Sequence, residues 1–298
     1  MKNLIKLSIH IKYKLMLKKI LVLSLLSVFS WSVFAQKENV PIGSRSGAMG
    51  NASVTFNDFW AVHNNQAGMA YYDKIAAGIF YENRFITKEL GLKCFSLVIP
   101  VRKAGVIGLN VSSLGYRLYN ESKIGLAYGM AFGENISAGV QLDYIYTHIA
   151  ENYGNKGAVT FEAGIRARII KNLIIGAHIF NPIQVKLATY DNERLPLIFK
   201  VGLSYTFSDK AVLAVEVEKD NNFKPVFKTG LEYHIVKPVY IRLGIATTPF
   251  VYSFGAGFEF YRFKLDISAS RHPVLGFTPQ ASLVYDIHSI APQKKKDK

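Results

Sequence analysis

From Lys74 onward, apolar and polar residues alternate with a period of two in segments of about ten residues, broken by turn-forming residues. Between Ile198 and Phe207 the residues Phe199, Val201, Leu203, Tyr205 and Phe207 fall on one face, and Lys200, Gly202, Ser204 and Thr206 on the other. The same division recurs at 135–149, 159–169, 227–235 and 263–270, and roughly fourteen such segments can be counted. No segment after residue 73 carries a convincing helical period, so the pattern predicts an all-β chain.

Alternation alone fits a soluble sandwich as well as a membrane barrel, because each buries one face of its strands. The connections separate the two. Tight turns at Arg102-Lys103, Gly133-Glu134-Asn135, Lys171-Asn172, Ser208-Asp209-Lys210, Lys237-Pro238 and Tyr261-Arg262 alternate with generally longer links at 151–157, 181–196, 220–222 and 271–279. Short turns at one end and longer loops at the other characterise bacterial outer-membrane barrels. Aromatic residues at segment ends, such as Phe80 and Tyr81, Tyr116 and Tyr119, Phe250 and Tyr252, and Phe260 and Tyr261, suit the two membrane interfaces. The expected fold is a transmembrane antiparallel β-barrel of about 14 strands over residues 74–288, closed because hydrocarbon leaves no partner for a free edge.

Residues 1–35 differ in kind: six lysines and no acid, then an apolar run from Ile20 to Phe34 that ends Val33-Phe34-Ala35. This predicts a secretory signal cleaved before Gln36, with Met1 or Met16 as the start. The run is shorter than the roughly 20 residues a helix needs to cross a bilayer. Removing the leader lowers the formal net charge from +15 to +9, part of it in the polar tail at 289–298, which has nothing to bury. The remaining positive charge is spread along the chain without the clustering that nucleic-acid binding needs, and suits outer-membrane lipid headgroups. The single Cys94 permits no internal disulfide and no cysteine metal cluster.

If the apolar face meets lipid, the opposite face lines the lumen. It carries Asp143, Glu162, Arg166, Arg168, Lys200, Glu216, Glu218, Lys228, Glu232, His234, Arg242, Glu259, Lys264 and Asp266. Such a mixed-sign interior reads either as a pore lining or as a salt-bridge lattice filling the bore, and pairing favours the lattice.

A bore of that width calls for a plug, and residues 36–73 are the material available for one. Gly43, Gly47, Gly50, Ala48 and Ala52 allow close packing, and Phe56, Phe59, Trp60 and Val62 supply an apolar face. Phe59, Trp60, Asn64, Asn65 and Gln66 are the residues expected to hold this hatch in the bore. Ser46-Gly47-Ala48-Met49-Gly50-Asn51-Ala52, then Asp58, then Asn64-Asn65-Gln66-Ala67-Gly68-Met69-Ala70 resembles the N-terminal signature of FadL-like outer-membrane proteins, in particular the PorV/PorQ group of Bacteroidetes. Gln66 stands where that signature has Pro. The resemblance implies a hatch-bearing barrel that serves type IX protein secretion by binding secretion-system subunits or secreted cargo, or alternatively passes small hydrophobic solutes. Gly115 is a candidate for loosening the wall into a side opening, or for twist alone.

Catalytic signals are weak. There is no Gly-x-Ser-x-Gly elbow, and His63, His148, His178, His234, His272 and His288 are scattered singly. The expectation is a non-enzymatic barrel without a cofactor.

Overall fold

The computed structural model describes residues 39–289, apart from 102–103, 151–153, 187–193 and 209. The expected leader and the basic tail lie outside the described residues. Fourteen strands close into one antiparallel barrel in which each pairs with its sequence neighbours and the last with the first. They are β1 (Lys74–Asn83), β2 (Gly91–Val101), β3 (Gly105–Tyr116), β4 (Tyr119–Phe132), β5 (Ile136–Ile149), β6 (Gly154–Ile170) and β7 (Leu173–Phe180). There follow β8 (Ile198–Ser208), β9 (Ala211–Asp220), β10 (Val226–Val236), β11 (Val239–Ala246), β12 (Val251–Phe260), β13 (Phe263–His272) and β14 (Gly276–Ser289).

The alternation decides which way each side chain points. Leu126, Leu142, Ile165 and Leu243 each expose 59–62% of their surface on the outside of the wall, between inward residues that are buried. Large apolar residues repeat this way round the barrel, an arrangement that water disfavours and hydrocarbon does not. Tyr81, Tyr116, Tyr119 and Tyr252 stand outward near strand ends, as the interface reading requires. Phe80 does not: adjacent residues of a strand face opposite ways, and with Tyr81 outside, Phe80 is buried in the lumen at 2% exposure.

Because the strands alternate in direction, the β2–β3, β4–β5, β6–β7, β8–β9, β10–β11 and β12–β13 connections share one end with Lys74, here the turn end. The opposite loop end departs from expectation in two places, since β3 and β4 are joined by Arg117 and Leu118 alone and β13 and β14 by residues 273–275, where a longer link was expected. Two 3-10 turns, Arg84–Ile86 and Lys88–Leu90, link β1 to β2.

The wall is uneven in height. β7 stops pairing with β6 at Glu162–Phe180, while β6 continues beside β5 as far as Gly154. Register shifts at Ile75/Ala76, Arg168/Ile170, Thr206/Ser208 and His234/Val236 all lie near the turn end. Gly115 has φ 114° and pairs with Asn120 across an unbroken β3–β4 ladder, so it turns the strand without parting the wall.

Among the described residues ahead of β1, the N-terminal segment forms three short helices, α1 (Ser44–Ala48), α2 (Ala61–Asn64) and α3 (Gln66–Met69). Asn65 starts α3: its backbone is extended and its side-chain oxygen accepts from the Ala67 amide at 3.2 Å. Gln66 therefore occupies the first helical position, the place where proline is tolerated.

Candidate functional site

The N-terminal segment lies inside the barrel. Asn39 meets Lys123 of β4 and Lys200 of β8 toward the loop end, and from there the chain descends to join β1 at the turn end. α1 packs on β11–β14, α2 on β3, and α3 on β4–β6. Phe59, Trp60, Asn64, Asn65 and Gln66 are all buried there.

The three amides have distinct tasks. Asn64 accepts from the Ile42 amide at 2.8 Å and donates to the Ile42 carbonyl at 2.9 Å and Ser46 Oγ at 3.0 Å, tying the start of the segment to α2. Asn65 Nδ2 donates to the Val54 carbonyl at 2.6 Å. Gln66 Nε2 reaches the wall, donating to Glu162 Oε2 at 3.1 Å.

The wall supplies the rest. Glu216 Oε2 accepts from the Ser53 and Val54 amides at 2.8 Å each, and Glu232 takes both Nε and Nη2 of Arg45 at 2.8 Å. Arg45 also donates to Asp58 at 3.1 Å. Ser253 Oγ accepts from the Gly50 amide at 3.0 Å and donates to the Ala48 carbonyl at 3.1 Å. Ser137 Oγ donates to the Ala67 carbonyl at 2.8 Å, and Arg166 Nε to the Thr55 carbonyl at 2.8 Å.

Close approach depends on inward glycines at mid-strand. A Cβ on Gly230 would stand 2.5 Å from the Met49 carbonyl oxygen, one on Gly244 2.0 Å from the Gly50 nitrogen, and one on Gly129 2.5 Å from the Gln66 carbonyl oxygen. Gly129 pairs with Gly139, Gly139 with Gly164, and Gly230 with Gly244, so the glycines adjoin along the ladders. Backbone meets backbone where these strands face the segment.

The lumenal charges gather in separate groups. Toward the loop end, Lys123 pairs with Glu162 at 2.8 Å, Glu162 accepts from His178 Nε2 at 3.0 Å, and Gln141 joins Asp143 at 2.7 Å. Beside them, Lys228 lies 3.2 Å from Glu216 and 2.7 Å from Glu218, and Lys200 lies 3.6 Å from Glu218. Toward the turn end, Glu232 joins Arg45, Arg242 and His234, and Arg242 also pairs with Asp266. Arg166 reaches the segment by itself, while Lys264 lies over the Tyr72 ring at 5.8 Å. Arg168 is half-buried and Glu259 is exposed near the turn end.

Charge does not line the whole bore. On β1, β2 and β3 the inward positions include Ala76, Phe80, Leu92, Cys94, Val98 and Val106, continuous with Ala127 of β4 and Val284 of β14, with the buried polar Glu82, Ser96, Asn110 and Ser112 among them. Phe59, Trp60, Val62 and Met69 of the N-terminal segment pack on this strip. Phe59 meets Trp60 edge-on at 4.9 Å, and Trp60 meets Phe80 at 6.1 Å. A second apolar group, Ile145, Ala158, Phe180, Leu195 and Ile198, lies where β7 stops.

Two titrating groups of the segment show how the surroundings act. Burial, with Lys123 nearby, holds the His63 imidazole well below its ordinary value, so the ring is neutral at pH 7. Burial alone would lower the Arg45 guanidinium; Glu232 and Asp58 outweigh it and raise it instead. Among the described residues no group of three or more His, Cys, Asp or Glu is placed to hold a metal ion.

Arg45 and the glycines were not singled out in the sequence as site residues. Their signals were there: Arg45 stands among small and apolar residues, and Gly202 and Gly230 sit in the middle of polar faces where a plain lining needs no small residue.

No protein-family model and no curated protein matches the sequence. Solved structures do match in fold. The toluene transporter TodX of Pseudomonas putida is 11% identical with a TM-score of 0.64, covering 84% of this chain and 100% of that one. A FadL homologue of Pseudomonas aeruginosa is 14% identical with a TM-score of 0.61, covering 83% and 98%, and the monoaromatic hydrocarbon channel CymD is 13% identical at 0.61, covering 85% and 100%. At these identities the likeness is one of fold: a closed 14-stranded barrel of the FadL-like kind.

Proposed function

We propose that this chain is an integral outer-membrane barrel whose N-terminal segment acts as a hatch, and that it passes small hydrophobic solutes of the monoaromatic kind without catalysis. The observation that carries this reading is the apolar strip on β1–β3, running from Leu92 near the loop end to Ala76 and Val106 near the turn end. A uniformly charged lumen would oppose such a solute; a lumen with an apolar strip on one side, broken by small and amide polar groups such as Ser96 and Asn110, offers it a surface. The names of the neighbouring channels support the solute class.

The test is initial uptake of radiolabelled toluene by intact cells with and without the protein. Uptake several-fold faster in its presence is the expected result, and equal rates would sink the reading.

The second reading is a partner-binding barrel of the PorV/PorQ kind in type IX secretion. What favours it is the density of bonds between segment and wall, which fits a sealed barrel. Purification in mild detergent separates the two, because stoichiometric secretion subunits or cargo would carry the second reading and a lone barrel with a bound amphiphile the first.

A further inference from the structure

The N-terminal segment is held in two different ways on the two sides of the barrel. On β4–β12 the strands grip its backbone: Gly129, Gly230 and Gly244 leave room for main-chain atoms of Gln66, Met49 and Gly50, and Glu216, Ser137 and Arg166 bond to amides or carbonyls. On β1–β3 contact is made by side chains. A Cβ on Gly78 would meet the Phe59 ring at 2.5 Å, and one on Gly108 would meet Val62 Cγ2 at 2.4 Å and Met69 Cε at 3.2 Å. Among the described residues the polar contact from those three strands to this part of the segment comes from Asn110, whose Nδ2 donates to the Val62 carbonyl at a long 3.4 Å and whose side chain also bonds the adjacent His63.

Trp60 stands at the centre of the second side. It is buried at 2% exposure, packed edge-on between Phe59 and Phe80, and its indole N–H has no hydrogen-bond partner among the described residues. Turning away gives up aromatic contacts but no hydrogen bond, and its N–H gains by reaching a polar group. Moving the segment's backbone would instead break the charge-assisted bonds to Glu216 and Glu232 together.

We propose that the gate is the Phe59–Trp60 pair acting against Phe80, opening by side-chain rotation along the β1–β3 wall while the backbone of the segment stays seated on β4–β12. This deepens the proposed function and rests on it for the identity of the solute. The gate favours apolar, uncharged molecules, because Phe80, Leu92 and Cys94 give the strip it opens an apolar surface on the loop side, bordered by the inward Glu82 and Ser112.

Cys94 gives a direct readout, being the one cysteine of the chain and the cross-strand partner of Phe80. In purified native protein, toluene should slow labelling of Cys94 by N-ethylmaleimide, and Trp60→Ala should speed it about tenfold or more, with little change for a negatively charged methanethiosulfonate. Trp60→Leu is the milder variant should the first not fold, as judged by heat-modifiable gel migration. Labelling that ignores both the substitution and toluene would overturn the gate, whatever the outcome of the uptake test.

The seated backbone is tested separately, in cells, with a disulfide between cysteines placed at Ala52 and Ala214, which pack in one cluster, in a Cys94→Ala background. Toluene uptake should match that background with the bond formed. Uptake lost on oxidation and restored by reduction would show that the whole segment must move, and would overturn the proposal while leaving the transport reading intact.

Discussion

Glu216 and Glu232 do for the N-terminal segment what strand partners do within a sheet, accepting donors that would otherwise be buried unpaired. Glu216 takes two backbone amides and Glu232 a two-pronged guanidinium contact, and both carboxylates are 2% exposed or less. Replacing Glu216 by Ala leaves two amides and Lys228 without that partner, so unfolding in urea should show a loss of about 3 kcal/mol or more. Gly244→Ala should cost about 1–3 kcal/mol by overpacking against Gly50. Gly91→Ala is the control, since its nearest neighbour would lie at an ordinary 3.4 Å and the change should be small. His63 supplies a pH dependence. Its folded value is depressed, so the unfolded chain binds the proton more readily, and stability is full above about pH 6.5 and falls below it, by up to about 1.4 kcal/mol per pH unit. His63→Gln should flatten the native curve between pH 7 and 5 by that amount; parallel curves would refute the assignment.

At the scale of elements, the strands were legible and the short helices were not. Period-two alternation placed roughly fourteen strands because the two faces of each meet such different surroundings, lipid and lumen. It misplaced Phe80 because an inward aromatic is indistinguishable from an outward one until its neighbour's direction is fixed. It also overlooked the apolar lining of β1–β3, since inward Val98 and Val106 read like any other apolar residues, while the charged residues of the other strands drew the attention. α2 and α3, four residues each, are too short to show a period, and they exist through Asn65 and the surrounding wall rather than through propensity. Asn65→Ala removes both the cap and the bond to Val54 and should cost about 1–2 kcal/mol in the same unfolding assay. Asn65→Asp keeps the capping oxygen and should recover part of it.

Taken as a whole, the molecule is a barrel with an amphipathic interior, and the two halves answer different questions. The charged half was expected to be a lattice spanning the bore. Lys228 instead pairs with Glu216 and Glu218 of the neighbouring strand, along the wall, and Glu162, Glu216 and Glu232 also turn their charge on Gln66, two amides and Arg45. Those carboxylates hold the segment as well as one another, so removing it should do two things at once. Deleting residues 43–70 vacates the bore, and single-channel conductance in planar bilayers should rise from near zero to a steady open level. The exposed lining then carries both signs in similar measure, Glu216 and Glu232 beside Lys228 and Arg242, so a tenfold KCl gradient should give a reversal potential close to zero. A strongly cation-selective pore would mean that the carboxylates lose their wall partners along with the segment. An unchanged conductance would mean that the segment does not close the barrel, which would remove the hatch and the gate built on it.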